Sequence, residues 1–155
     1  MPYALNVAAP LKQDPESQQK VKELVDNFAA TGQPLLDAAL AQSEIVHFAR
    51  VALIDDKYMM VITEFDGEPS QYAEFFRTTL GPLFQSVFSL VEGAPSWEEL
   101  NEPNTFFEYM ETLDRPSVGT SKDTNDGRGY LFSAYGDMTV REIKSHLPQA
   151  ASASN

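Results

Sequence analysis

Residues 45–67 read IVHFARVALIDDKYMMVITEFDG, and this stretch decides the fold. Two runs rich in β-branched and aromatic residues flank Asp55-Asp56-Lys57, the pattern of a β-hairpin. Side chains alternate along a strand, so Ile45, His47, Ala49, Val51 and Leu53 are expected on one face. Val46, Phe48, Arg50, Ala52 and Ile54 are expected on the other. Both faces are mostly apolar. His47, Arg50 and Glu64 are the polar residues that do not suit such a setting.

Working outward, Tyr3–Ala8 suits a first strand, and Asp14-Pro15 is an N-cap followed by proline at the first helical position. Val21, Leu24, Val25 and Phe28 then recur at helical spacing, and a short helical piece is expected over Leu35–Leu40. After the hairpin, Pro69 opens a long apolar stripe from Phe75 to Val91. Gly81-Pro82 is expected to kink it. Ser96–Glu99, Thr105–Glu108 and Thr139–Glu142 each match a capping box, so three helix starts are expected there. Residues 115–129 read as a long polar loop, mobile or a lid. Tyr130–Tyr135 reads as a last strand, followed by a last helix over Thr139–Leu147. The resulting order is the split βαββαβ, ferredoxin-like arrangement of an α+β domain over residues 1–148, with a disordered tail at 149–155.

Composition narrows the function. The 23 acidic residues outnumber the 11 basic ones, giving a net charge of −12. A surface so acidic repels phosphate backbones and anionic lipid, so neither nucleic acid nor membrane is expected as a partner. Solubility is the simpler reading of that charge. The absence of cysteine removes thiol nucleophiles, disulfides and thiolate metal sites. No segment approaches the apolar length of a membrane helix and the first residues lack a secretory pattern, so a cytoplasmic location is expected.

The candidate chemistry gathers on the hairpin. If the turn has an even number of residues, 53 pairs with 58 and His47 lies opposite Glu64. A carboxylate beside an imidazole orients it as a general base, which makes His47 and Glu64 the catalytic candidates; a structural pair is the alternative. Arg50 would hold a carboxylate or other polar oxygen of a ligand, or else pair with Asp66 or with a dimer mate. Phe48, Tyr58 and Met60 are candidate pocket walls. Glu64 and Asp66 together are only two carboxylates, too few to mark a cation site. Since alternation sends His47 and Arg50 to opposite faces, the two are not expected to share one pocket.

The segments Val46-His47-Phe48-Ala49-Arg50, Ile54-Asp55-Asp56 and Thr63-Glu64-Phe65-Asp66-Gly67 resemble the hairpin of the ferredoxin-like, dimeric α+β barrel superfamily. Within it the chain is similar to an uncharacterised group related at the fold level to dye-decolorising peroxidases. The segment YLFSAYGDMTV, Tyr130–Val140, is similar to the final strand and helix start of that group. The resemblance implies a four-stranded antiparallel sheet whose open face packs on a second subunit, hence a homodimer. Members of the superfamily include monooxygenases, chlorite dismutases and haem peroxidases. Haem is not favoured here, because neither His47 nor His146 lies in a haem motif and the GxxDG signature is absent; His146 reads more simply as a solvated helix-end residue. Two readings follow. One is a small-molecule binder or oxidoreductase-like enzyme with its pocket between sheet and helices. The other is a non-catalytic homodimeric module, unless the helices between Ser96 and Arg115 fold back over the open face and leave a monomer.

Overall fold

The computed structural model describes residues 1–121 and 127–149. Among these the chain is α+β, with a three-stranded antiparallel sheet and seven helices. The strands are β1 (Tyr3–Pro10), β2 (Val46–Ile54) and β3 (Tyr58–Phe65), in the order β1-β3-β2. The helices are α1 (Pro15–Asn27), α2 (Gly32–Ser43), α3 (Pro69–Thr79), α4 (Gly81–Phe88), α5 (Trp97–Leu100), α6 (Pro103–Leu113) and α7 (Val140–His146). None of them is long and apolar enough to cross a membrane.

Local chemistry accounts for most boundaries. The Asp14 carboxylate accepts the Ser17 N–H at 2.9 Å, with Pro15 opening α1. Ser96 and Thr139 form complete capping boxes with Glu99 and Glu142. The expected box at Thr105 does not form. Pro103 opens α6 two residues earlier and places Thr105 inside the helix, where no N-cap role exists. At Gly81-Pro82 the expected kink is a full break: Leu80 leaves helical geometry (φ −121°, ψ 23°) and two helices result.

One face of the sheet carries the core. Leu5, Val7 and Ala9 of β1 stand with Met59, Val61 and Thr63 of β3 and with Ala49, Val51 and Leu53 of β2. Helices α1 to α4 pack on this side through Val21, Leu24, Leu36, Phe76 and Phe84. An aromatic chain runs through it. Phe65 stacks on Tyr72 at 3.7 Å between ring centroids, and contacts continue through Phe76 and Phe84 to Phe106. Helix α6 adds Phe106, Met110 and Leu113 to the same core beside Val7. The helices between 96 and 115 therefore lie with the other helices and leave the opposite sheet face open.

The expected fourth strand is absent. Residues 130–133 have no regular structure and 134–137 form a turn. The free edge of β1, where such a strand would pair, is already occupied. Asn6 N–H donates to Asp114 Oδ1 at 3.0 Å, Arg115 N–H donates to Asn6 O at 2.8 Å, and the Arg128 guanidinium donates to Ala4 O at 2.6 Å. Next to Arg128, Gly129 takes the left-handed angle φ +85°. A Cβ there would sit 1.8 Å from Ser117 O, so only glycine fits. Among the described residues the sheet thus has three strands in place of the expected four. The expected loop at 115–129 falls partly, at 122–126, outside the described residues, as does the expected tail from residue 150 onward.

The hairpin register also departs from expectation. Asp55 and Asp56 both take left-handed backbone angles (φ 51° and 55°), and Lys57 N–H donates to Ile54 O at 2.9 Å. Three residues separate the paired Ile54 and Tyr58, so the turn is odd. Phe48 therefore pairs with Glu64. A bulge at His47 then shifts the register back, and Val46 pairs with Phe65. His47 does not lie opposite Glu64.

The bulge is tied down by Asp66. His47 Nε2 lies 2.8 Å from Asp66 Oδ1, and Asp66 Oδ2 accepts the Val140 N–H of α7 at 2.7 Å. Both side chains are largely buried, His47 at 8% and Asp66 at 15% exposure. Hydrogen bonds to a charged group contribute about 1.5–3 kcal/mol each. His47→Ala, which breaks one, is expected to lower unfolding stability by roughly 1–3 kcal/mol. Asp66→Ala breaks both and should cost more, about 2–5 kcal/mol. Lys57→Ala in the exposed turn should stay within about 0.5 kcal/mol. Urea unfolding checks the order; equal losses for the Asp66 and His47 variants would remove the bridge to α7 from the account.

Candidate functional site

A cleft of about 360 Å³ lies against the open sheet face, roofed by residues 131–135. Four of the six expected site residues line it: His47, Phe48, Arg50 and Glu64. Alternation alone would send His47 and Arg50 apart. The bulge changes that, because one extra residue before Phe48 re-aims the His47 ring while 48, 50, 62 and 64 keep a common face. The sequence reading places the pocket between sheet and helices; this cleft is on the opposite side.

Tyr58 and Met60 also belong to the open face, paired with Ile54 and Ala52. They stand further along the hairpin, away from the cleft lining, so neither is a wall of it. The roof brings residues that sequence reasoning did not assign to a site. Phe132 and Tyr135, read as strand residues, are exposed and border the cleft with Leu131, Ser133 and Ala134. No local signal marks them, since their position depends on the blocked edge of β1 more than a hundred residues earlier.

The charged groups of the cleft are not consumed by each other. Arg50 and Glu64 make no hydrogen bond or ion pair with any described residue, and Asp66, an alternative partner for Arg50, is engaged by His47. Burial pushes the Glu64 carboxyl above its ordinary value, with Arg50 and His47 pulling partly the other way. In the neutral His47 ring, an Nε2–H donated to Asp66 leaves Nδ1 as an acceptor, the arrangement that makes an imidazole a proton acceptor. The expected carboxylate–imidazole pair thus exists, but its carboxylate is Asp66.

His146 lies away from this site, exposed at the end of α7, with Nδ1 2.9 Å from Glu142 O. Among the described residues no three His, Asp or Glu side chains are placed to hold a metal ion.

The chain matches no protein-family model, and comparison with curated proteins and with solved structures likewise finds no match.

The raised Glu64 value fixes the sign of one pH effect. A carboxyl that holds its proton more tightly when folded costs nothing at low pH, where both states are protonated. The cost appears as pH rises through the ordinary value of 4.5 toward the raised one. Glu64→Gln removes it. The variant should be more stable than the native chain at neutral pH, and the difference should vanish well below pH 4.5 in thermal melts at both pH values.

Proposed function

We propose that this chain binds a small molecule bearing a carboxylate and an apolar body, in the cleft on the open sheet face. One observation carries the reading: a guanidinium and a carboxylate, Arg50 and Glu64, share a cleft with aromatic residues yet pair with nothing among the described residues. Arg50 would take the ligand carboxylate, ideally by two parallel N–H···O bonds. Glu64 would accept an N–H or O–H from the same ligand. Phe48, 73% exposed, and Phe132, 66% exposed, offer apolar area at the mouth. In this reading His47, oriented by Asp66, is the proton acceptor within reach of the ligand. Titration calorimetry with simple aromatic carboxylates, such as phenylacetate and indole-3-acetate, tests it. Arg50→Met should weaken binding about 10- to 100-fold, the worth of one charged hydrogen bond, while Lys57→Ala leaves it unchanged. No saturable binding of any such carboxylate, or equal binding by the Arg50 variant, overturns the proposal.

A second reading, a homodimer closed through the same face, is supported by the exposed apolar residues there. Phe48, Ile54 and Tyr58 all stand on the side that no helix covers. Two such faces packed together would give a two-sheet barrel around a two-fold axis. Sedimentation at micromolar concentration should then return twice the 17.2 kDa of one chain, and a mass of 17.2 kDa would rule the dimer out.

A further inference from the structure

On the core side of the sheet lies a separate cavity of about 190 Å³, between β2, β3 and the helices α1, α2 and α4. Its walls are almost wholly apolar, with Leu24, Leu36, Leu53, Val61, Phe84 and Val87 prominent among them. Exposed Val25 and Val51 stand at its rim, so it has a way in beside the edge strand. A space of this size and lining is comparable to apolar cavities of about 150 Å³ that stay dry and accept benzene.

Thr63 and Tyr72, two hydroxyl-bearing residues, are among its walls. Thr63 Oγ1 and Tyr72 OH are 2.9 Å apart, and both residues are almost fully buried, at 1% and 2% exposure. Each hydroxyl carries one hydrogen, and their mutual contact uses only one of the two. Whichever group donates, the other hydrogen has no acceptor among the described residues. Burial holds the Tyr72 phenol far above its ordinary value, so it stays protonated and remains a donor across the working range. A buried donor left unpaired in an apolar setting is costly, and an acceptor delivered by a ligand removes that cost.

We infer that the cavity between the sheet and helices α1, α2 and α4 is a binding site for a small neutral molecule with an apolar body and one carbonyl oxygen, which accepts the spare hydrogen of the Thr63–Tyr72 pair. This site uses none of the charged groups of the open-face cleft and stands independently of the function proposed for that cleft. Arg50 is the one charged residue among the walls, and its place in the strand register puts it on the open face of the sheet.

Acetophenone and α-methylstyrene have nearly the same shape and differ by a carbonyl oxygen replaced with a methylene, so they separate the hydrogen bond from the apolar fit. Methyl NMR titration of the full chain should show both shifting the methyls of Leu24, Val61 and Val87, with acetophenone tighter by about three- to tenfold. The Thr63→Val/Tyr72→Phe variant keeps the shape and removes both donors. It should bind the two ligands equally, with α-methylstyrene unweakened; Lys57→Ala, in the exposed turn, should leave the wild-type preference intact. Equal affinity of the native chain for both ligands overturns the carbonyl assignment even if the double variant fails to fold. Absence of methyl shifts with either ligand overturns the site.

Discussion

The Asp66 carboxylate joins three parts of the chain that are far apart in sequence. One oxygen meets the imidazole of His47 and the other receives the first N–H of α7, while its own backbone N–H donates to Ile45 O. An N–H at a helix start has no partner within the helix, so a carboxylate there is favoured by charge and by hydrogen bonding together. The same anion fixes the orientation of a largely buried histidine. The end of the hairpin, the bulge and the C-terminal helix are therefore held by one charged group. The clamp holds the start of α7 at the end of the hairpin, and residues 131–135, shortly before that helix, roof the open-face cleft.

Two irregularities in the hairpin matter only in combination. The odd turn at 55–57 displaces the pairing by one residue, and the bulge at His47 restores it, so Val46 again meets Phe65. A one-residue slip exchanges the faces of a strand. Without the bulge, Val46 would leave the aromatic cluster it packs against at Phe65 and Tyr72, and His47 would point into that cluster. With the bulge, Val46 stays in the core and His47 shares the cleft with Arg50 and Glu64. Core packing and site geometry depend on the same extra residue.

The two sides of the sheet have different physics. On the core side, stacked and edge-on aromatic pairs run from Phe65 to Phe106, and the remaining cavity is mostly apolar, with Thr63, Tyr72 and Arg50 as its polar walls. On the open side, Arg50 and Glu64 make no hydrogen bond or ion pair with a described residue, and Phe48 and Tyr58 are exposed. In so acidic a chain Arg50 makes no such bond with a described residue, and only the field of the nearby Glu64 acts on it.

By itself the sequence determined the local structure. Apolar alternation over 46–54 and 58–65 specified the hairpin, and Asp14-Pro15, Pro69, Ser96 and Thr139 specified helix starts, since each acts through groups three or four residues away. It also marked His47, Phe48, Arg50 and Glu64 as candidate site residues, though alternation alone set His47 and Arg50 on opposite faces. Tertiary structure alone decided the rest. The parity of the turn rests on two aspartates adopting left-handed angles, which favour neither parity in a linear reading. The partner of His47 rests on the bulge. The fate of 130–135 was set by Asp114, Arg115 and Arg128 filling the edge of β1, contacts that span more than a hundred residues. Pattern carries information over one turn or one strand pair; competition for a shared edge or a single carboxylate is settled only when the whole chain is packed.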